Sequence, residues 1–330
     1  MTGDGMPKID LITGFLGSGK TTFIRRYAEY LISGGERVGI LENDLGAVNV
    51  DTMLLEDLES DDCGLEMIVG GCCREPAAHR QRFASKLIAM RMDGYDRVIV
   101  EPSGIYDVDE FFDVLRDEPL DGWYEIGNVI ALADADLEEE LSPEAEYILG
   151  SQLACAGKIL VTRSDKAKPG QLEMVRAHLA RALGSVRCGR RLSDEDIIFC
   201  ELPCLTDEQL GQISCCGYLA ESFEKVIFDA GHAFDSLFFM HPRVTACGIN
   251  AAVRQIFADD ACGHVMRIKG FLRQGDSWVQ INAAPGTIDT EPINDGQEII
   301  IVIGQGLDEE RIGAYLEADG EGSFSGASSH

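Results

Sequence analysis

A glycine-rich stretch near the start of the chain has the residue types and spacing of a phosphate-binding loop. Residues 14–22 read GFLGSGKTT and fit the pattern G-x-x-x-x-G-K-[ST]. Glycines let backbone N–H groups approach phosphate oxygens, and the N-terminus of a following helix favours an anion. We expect Lys20 to contact the β- and γ-phosphates and the Thr21 hydroxyl to bind Mg²⁺. The predicted cradle consists of Gly14, Leu16, Gly17, Ser18, Gly19, Lys20, Thr21 and Thr22.

Acidic residues after two later strands are candidates for the rest of a magnesium site. The segment 97–104, RVIVEPSG, places Glu101 at the carboxyl end of a predicted strand, where ligands bind in parallel sheets. We expect Glu101 to hold a Mg²⁺-bound water and the Gly104 N–H to contact the γ-phosphate. Asp44 follows another predicted strand and is expected to reach the metal directly or through water. An ordinary polar turn is the alternative for Asp44.

The residues after the strand at 158–161 predict a segment that binds the nucleotide base, although two of them differ from the usual motif. GTPases usually read guanine with Asn-Lys-x-Asp, and here the four residues are Thr162, Arg163, Ser164 and Asp165. Asp165 can accept hydrogen bonds from N1 and N2 of guanine, and Arg163 can lie over the base plane. Thr162 replaces the asparagine. The expected ligand is therefore a guanine nucleotide, and use of ATP stays open.

Two adjacent thiols indicate a site for a softer metal. Cys72 and Cys73 lie between a short strand and a helix, beside Arg74, and both surroundings favour the thiolate form. Thiolates bind Zn²⁺, Co²⁺ or Ni²⁺, but two ligands are too few, and unliganded thiols remain the alternative. The candidates for further ligands are Cys63, Glu75, His79 and Glu42. A second cysteine group matches no standard metal spacing, and its metal binding stays open: Cys188, Cys200, Cys204, Cys215 and Cys216.

Alternating strand and helix patterns must position these residues. In residues 1–184 the alternating pattern predicts an α/β P-loop NTPase fold, which is a mostly parallel sheet with helices on both faces. Residues 185–217 show no clear periodicity and are interpreted as a cysteine-rich connecting segment. Residues 218–317 predict a smaller α+β domain, with one strand expected at 225–228, and residues 318–330 a flexible tail.

Composition excludes several classes of partner. The chain has 330 residues, a formal net charge of −29 and 11 cysteines. Such an acidic surface repels nucleic-acid phosphates and anionic lipid heads over about one Debye length. No run of 18 apolar residues and no signal-peptide pattern is present. We therefore expect a cytoplasmic protein with reduced cysteines that binds neither nucleic acid nor membrane.

Taken in order, these motifs resemble those of the CobW family of GTPases, close to UreG and HypB. The matching segments are ITGFLGSGKTT at 12–22, ENDLGAVNVD at 42–51, VIVEPSG at 98–104, MRIKGFL at 266–272 and IVIGQGLDEE at 301–310. The resemblance spans residues 8–316. It implies a Mg²⁺-dependent GTPase that forms GDP and phosphate, coupled to binding of Zn²⁺, Co²⁺ or Ni²⁺. It also implies delivery of that metal to a client metalloprotein or to cobalamin-related metabolism.

The chain departs from the family pattern in three respects. Gly70 stands where the first cysteine of a Cys-x-Cys-Cys signature is usual, the guanine motif is altered, and no histidine-rich stretch exists. The scattered histidines, His79 and His178 among them, are interpreted as structural. The alternatives are a P-loop ATPase or kinase, a nucleotide-dependent activator without metal delivery, and a non-enzymatic scaffold. The metal, the client and the oligomeric state, a homo-oligomer included, stay open.

Overall fold

The computed structural model describes residues 5–44, 55–69, 76–104, 106, 108–221, 223, 234–293 and 296–317. Several predicted features lie outside the described residues: Cys72, Cys73, Glu75, the strand expected at 225–228 and the tail at 318–330. Asp44 ends a described strand, but its side chain is not described. The chain forms two compact units, Met1–Ala230 and Gly231–His330.

The first unit contains a seven-stranded parallel sheet. Its strands are β1 (Lys8–Gly14), β2 (Val38–Asp44), β3 (Cys63–Val69), β4 (Arg97–Pro102), β5 (Glu125–Asp134), β6 (Lys158–Thr162) and β7 (Ile197–Phe199). They lie in the order β3-β2-β4-β1-β5-β6-β7, and every pairing is parallel. The inner strand β4 is buried along its whole length and therefore on both faces, so layers of helices must cover both sides of the sheet.

The described part of this unit contains six α-helices, five of them between strands of the sheet and the sixth after β7. They are α1 (Lys20–Ser33), α2 (Pro76–Asp93), α3 (Val108–Leu115), α4 (Pro143–Ala154), α5 (Gln171–Ser185) and α6 (Asp207–Ile213). Helix α1 follows the phosphate loop, and its buried residues Phe23, Tyr27 and Leu31 recur at helical spacing and pack on the sheet. It ends at Ser33, and Gly34 is its C-cap residue. The predicted α/β P-loop fold is therefore present.

Residues 185–217, predicted as a connecting segment, belong to the first unit and contain two of its elements. Strand β7 pairs with β6 at one edge of the sheet, and α6 begins at a capping box formed by Thr206 and Gln209. Tyr218, where the second domain is predicted to start, forms a β-bridge with Ala156 of the first unit. A three-residue strand and a seven-residue helix are too short to show a period in the sequence.

A buried polar network holds the end of this segment against the sheet. Asp10, fully buried in β1, accepts hydrogen bonds from Arg97 Nη1 and from the Asn128 backbone N–H, both at 2.8 Å. Arg97 and Asn128 also donate to the Ser214 carbonyl at 3.4 and 3.0 Å. The Gly217 N–H donates to Asn128 Oδ1 at 2.8 Å. The segment after α6 therefore bonds directly to buried groups of two strands, β4 and β5, which in turn hold Asp10 of β1.

The second unit is a smaller α+β domain. Its strands are β8 (Asp235–Met240), β9 (His264–Gln274), β10 (Ser277–Ala284), β11 (Thr287–Ile293) and β12 (Ile299–Gln305), and its helices are α7 (Ile249–Ala258) and α8 (Glu309–Glu317). The sheet is antiparallel, in the order β11-β10-β9-β12-β8. One face of this sheet packs on the two helices. Ile300 of β12, Val253 of α7 and Ile312 of α8 belong to one apolar core. Among the described residues, no helix combines the length and apolar character that crossing a membrane requires.

Candidate functional site

The phosphate loop connects the end of β1 to the start of α1 and requires glycine at two positions. Gly14 has φ of 152°, and a Cβ there would lie 2.4 Å from the Leu132 carbonyl oxygen. Gly19 has φ of 91°, and its Cβ would lie 2.8 Å from Leu202 Cδ1. Both the backbone conformation and the space exclude larger residues. The loop therefore has the close main-chain approach that phosphate binding needs.

Lys20 is held inside this loop. Its side chain is buried, and its Nζ donates to the Gly14 carbonyl oxygen at 3.1 Å. The ammonium group therefore reaches back across the loop from the first turn of α1. This position gives one positive charge to a cradle otherwise built from backbone amides, as β- and γ-phosphate binding requires.

A hydroxyl and two carboxylates form an oxygen-rich corner beside the loop. Thr21 Oγ1 donates to Glu101 Oε1 at 3.0 Å, although the two residues are 80 positions apart. Glu101 on β4 is in register with Glu42 on β2, and both side chains are buried. In-register residues of neighbouring strands point to the same face of a sheet. Hydroxyl and carboxylate oxygens are ligands that suit Mg²⁺, so the residues present fit this cation.

The structure places the predicted magnesium residues unequally. Thr21 and Glu101 are in direct contact, as the two motifs together require. Asp44 lies at the end of β2, and its contact with the metal stays a prediction because its side chain is not described. Glu42 belongs to the same corner by register, although the sequence suggests it only as a ligand for a softer metal. A glutamate inside a strand gives no local signal of such a role.

Gly104 packs directly on the phosphate loop. A Cβ at this position would lie 2.7 Å from Leu16 Cδ2 and 3.0 Å from the Leu16 backbone nitrogen. The Gly104 carbonyl accepts a hydrogen bond of 3.1 Å from Nε2 of Gln152, a fully buried residue of α4. The sequence does not reveal this contact. Movement of Gly104 must therefore move the loop or break the bond to α4.

The base-binding segment is held to the phosphate loop by side chains. Thr162 Oγ1 donates to the Ser18 carbonyl at 3.0 Å, and Arg163 Nη2 donates to the Gly17 carbonyl at 2.9 Å. Arg163 Nε also donates to Asp134 Oδ1 at 3.0 Å, and the two side chains form an ion pair. Thr162 and Arg163 thus attach this segment to the loop, although they replace the usual Asn and Lys of the guanine motif. Coverage of a base by Arg163 stays a prediction.

Asp165 and the segment after β7 frame the base-binding corner. Asp165 lies on the short turn Ser164–Lys166. Its side chain is exposed and therefore accessible to a nucleotide base. A hydrogen bond to Glu201, together with the charges of Glu201 and Asp165, raises the pKa of the exposed Cys204 thiol. Cys204 therefore lies within the field of Asp165. The sequence does not predict that residues 201–204 border this corner.

Three of the four candidates for further ligands beside Cys72 and Cys73 lie in the described residues. Cys63 begins β3, so nearly the whole strand, roughly 20 Å of chain, separates it from residue 70. Burial raises the pKa of the Cys63 thiol to about 11, which disfavours the thiolate that a metal needs. His79 is fully buried, and both of its ring nitrogens contact other side chains. Glu42, near the carboxyl end of β2, is the described candidate that remains.

The second cysteine group is not assembled as a metal site. Cys200 and Cys216 lie in or against the apolar core beneath α1, and burial raises the pKa of each thiol to about 12. Cys204 and Cys215 are exposed and donate to nearby oxygens. Within the described ranges, no three His, Cys, Asp or Glu residues form a group that could hold a metal ion. These thiols are therefore packing and surface residues in this structure.

The parallel sheet, the phosphate loop and the Thr21–Glu101 contact define a P-loop nucleotide-binding protein. The sequence matches the family model of the CobW/HypB/UreG nucleotide-binding domain over residues 8–187. Residues 241–318 match the model of the cobalamin synthesis protein cobW C-terminal domain. The chain therefore belongs to the CobW/HypB/UreG family, as the order of its motifs predicts.

Similar proteins include two zinc chaperones of Escherichia coli (strain K12). The chain is 30% identical to YeiR over 165 residues, which cover 50% of this chain and 48% of YeiR. It is 30% identical to YjiA over 181 residues, which cover 52% of this chain and 54% of YjiA. The chain thus spans about half the length of the curated relatives it matches.

Two solved structures are among those similar to this chain. The Zn(II)-bound YjiA GTPase from E. coli is 21% identical with a TM-score of 0.37, covering 94% of this chain and 98% of that one. HypB from Helicobacter pylori in complex with nickel is 16% identical with a TM-score of 0.38, covering 64% of this chain and 84% of that one.

Proposed function

We propose that this protein binds GTP with Mg²⁺, hydrolyses it to GDP and phosphate, and couples this cycle to the binding and delivery of Zn²⁺, Co²⁺ or Ni²⁺. The observation that carries the nucleotide part is the 3.0 Å contact between Thr21 and Glu101, beside the loop that holds Lys20. A hydroxyl at the helix start and a strand-end carboxylate are the two protein groups that hold Mg²⁺ in P-loop proteins.

The chemistry requires little beyond positioning. Phosphoryl transfer needs its charges neutralised and its reacting oxygens held in line, and Mg²⁺ supplies much of that neutralisation when it is bound. Here Lys20 and the loop amides bind the phosphates, Thr21 and Glu101 hold the cation, and Gly104 faces the loop. No arginine finger is evident in the sequence, so we expect slow turnover without a partner.

Guanine is the base that this corner supports best. Asp165 presents an exposed carboxylate, which matches the N1–H and N2–H donors of guanine. Adenine offers no such pair of adjacent donors on that edge. The Thr162 and Arg163 contacts hold the segment at the loop, so the altered letters are compatible with guanine selection.

The metal part of the proposal rests on Cys72 and Cys73, with Glu42 as a further ligand. The relatives named as zinc chaperones favour Zn²⁺ as the first metal to test. Two thiolates and one carboxylate are ligands that Zn²⁺ accepts, leaving a fourth position for water or for a client's ligand. Such an open position suits transfer rather than permanent storage of the metal. A client metalloprotein would then be the partner of the full chain.

The test combines nucleotide and zinc measurements on the full chain. We expect tighter binding of Mg²⁺–GTP than of Mg²⁺–ATP, measurable phosphate release, and zinc binding that falls at least about 100-fold in Cys72→Ser/Cys73→Ser. Cys215→Ser, which removes an exposed thiol of the second group, is the matched control and should leave zinc affinity unchanged. Equal zinc affinity in wild type and the double variant refutes the site. Phosphate release that stays at the buffer rate refutes hydrolysis.

A further inference from the structure

A fully buried glutamine bonds to the glycine that packs on the phosphate loop. Gln152 lies in the last turn of α4 and is 0% exposed. Its Nε2 donates to the Gly104 carbonyl oxygen at 3.1 Å, although the two residues are 48 positions apart. Gly104 is itself buried, and it is the residue that we expect to contact the γ-phosphate through its N–H. The bond therefore joins α4 to the part of the proposed site where GTP and GDP differ.

Two contacts restrict the backbone of Gly104. A Cβ at this position would lie 3.0 Å from the Leu16 backbone nitrogen and 3.1 Å from the Leu16 Cα, so the residue has little room to approach the loop further. The bond to Gln152 fixes the direction of the Gly104 carbonyl group. Rotation of the peptide that follows Gly104 would break this bond. Gln152 therefore limits the conformations that the glycine adopts beside the loop.

Helix α4 is a firm support for this bond. Its residues 147–154 are all buried. Gly150 packs so closely on α5 that a Cβ there would lie 2.4 Å from the Ala182 carbonyl oxygen. A side chain on a helix that is packed in this way has a fixed position of its own. The amide of Gln152 therefore holds Gly104 in place instead of following its movements.

Stability alone does not account for a glutamine at this position. The Oε1 atom of Gln152 is buried and accepts no hydrogen bond within the described part of the chain. A buried carbonyl group without a partner costs about as much free energy as the single bond through Nε2 contributes, or more. Methionine would fill the same space without that cost. A residue that is unfavourable for packing and bonds to a functional glycine is the pattern expected of a positioning residue.

We propose that Gln152 is the positioning residue that holds Gly104 in the backbone conformation that binds the γ-phosphate. This inference rests on the proposed function and assigns part of the discrimination between GTP and GDP to α4. Because Gly104 is ordered before GTP binds, less conformational freedom is lost on binding. GDP has no γ-phosphate, so its affinity does not depend on the position of the Gly104 N–H. Loss of the Gln152 bond weakens binding of GTP selectively.

The experiment compares the affinities of the full chain for Mg²⁺–GDP and for Mg²⁺ with the β,γ-imido analogue of GTP, measured by calorimetry. Gln152→Met keeps an unbranched side chain but has no donor. We expect its affinity for the analogue to fall about 5- to 10-fold, as for the loss of one hydrogen bond, while GDP affinity changes less than about 2-fold. Phosphate release at saturating GTP should fall about 5-fold. The unfolding temperature should equal or exceed that of wild type, because the unpartnered Oε1 is removed.

A shorter amide and a neighbouring serine provide a second variant and a matched control. Gln152→Asn keeps the amide, but the side chain is one methylene too short for the Gly104 carbonyl, so it should show the same selective loss. Ser151 is equally buried, and its hydroxyl donates to the Ile148 carbonyl of its own helix at 2.9 Å. Ser151→Ala thus removes a buried hydrogen bond of α4 without changing the contact to Gly104. We expect it to keep the wild-type affinities for both nucleotides.

Failure of this inference is distinguishable from failure of the proposed function. Wild type that binds neither nucleotide refutes the nucleotide part of the proposed function and this inference with it. Gln152 variants that keep wild-type affinity for the analogue overturn the role of Gln152, and GTP binding by wild type still stands. A Gln152→Met variant that loses both affinities equally, or a Ser151→Ala variant with the same selective loss, shows a general contribution of α4 to the fold and also overturns the role.

Discussion

The phosphate corner and the base corner of the nucleotide site are built in different ways. The phosphate corner, residues 14–22 with Glu101, consists mainly of main chain whose shape demands glycine at fixed positions. The base corner, Thr162, Arg163 and Asp165 with Asp134, is attached to the loop by side-chain hydrogen bonds. A backbone cradle tolerates few sequences, whereas a side-chain tether can be made by several residue types. This difference explains why the first motif is intact and the second is altered.

The largest effect is expected at the phosphate corner, from Lys20→Ala. The substitution removes the ammonium group that lies inside the loop, and charge-assisted bonds to phosphate contribute about 1.5–3 kcal/mol each. We expect GTP and ATP affinities to fall together by at least about 100-fold, measured by calorimetry or with fluorescent nucleotides. Lys8→Ala, at the exposed opposite end of β1, is the control and should bind as wild type does. Unchanged nucleotide affinity in Lys20→Ala would contradict the assignment of residues 14–22 as the phosphate-binding site.

The next effect concerns hydrolysis rather than binding. Glu101→Gln keeps an acceptor for Thr21 but removes the negative charge that faces the cation. We expect phosphate release at saturating GTP to fall about 100-fold, as for other losses of a charge-stabilising group, and half-saturation to require more Mg²⁺. Binding of GDP without Mg²⁺ should be close to wild type. A wild-type rate of phosphate release would show that Glu101 does not serve the metal.

A selective effect is expected at the base corner, from Asp165→Asn. The amide cannot accept from both N1–H and N2–H of guanine, so GTP affinity should fall about 10- to 100-fold while ATP affinity is unchanged. The amide can donate to the C2 carbonyl of xanthine, so affinity for xanthosine triphosphate should rise. Competition among the three nucleotides measures all of these changes. If GTP and ATP lose affinity equally, the corner does not read guanine and the contrast with the phosphate corner fails.

The smallest effect concerns the exposed thiol beside the base corner. The hydrogen bond to Glu201, followed by the charges of Glu201 and Asp165, raises the pKa of Cys204, so its thiolate fraction at pH 8 is below that of a free cysteine. Alkylation by iodoacetamide should be slow at pH 8, rise as the pH increases above 9, and become about 3-fold faster in Glu201→Gln.

Mass spectrometry of the Cys204 peptide, with exposed Cys215 as internal reference, measures this rate. Bound GTP should slow the reaction at Cys204 and leave Cys215 unaffected, because Cys204 lies in the field of Asp165. If GTP slows alkylation of both thiols equally, its effect is not specific to the base corner.

The sequence predicts the parts of the fold and site that local patterns define. The phosphate loop, the strand that carries Glu101 near its carboxyl end and the alternation of strands and helices all follow from short-range spacing. The contact of Thr21 with Glu101 was predictable because two motifs imply one cation between them. Strands β7 and β8 were not predicted, since pairing with distant strands stabilises them. Helix α6 was missed although Thr206 and Gln209, three residues apart, are a local signal for the start of a helix.

Contacts between distant side chains account for the rest of the difference. Gln152 bonds to the Gly104 carbonyl and His79 contacts Asn43, and in neither helix do the neighbouring residues indicate a partner. The same holds for Asp134, which pairs with Arg163 from the end of another strand. The roles of Asp44, Cys72 and Cys73 remain predictions from the sequence.

The polar network around Asp10 has a practical consequence for anyone who cuts this protein into fragments. The match to the nucleotide-binding family ends at residue 187, but the Ser214 carbonyl and the Gly217 N–H satisfy Arg97 and Asn128 beyond that point. Truncation at 187 would expose the buried ion pair between Arg97 and Asp10 to water. It would also remove Leu202, which packs beside Gly19 of the phosphate loop. A recombinant nucleotide-binding half should therefore extend past Tyr218, whose backbone still bridges to Ala156.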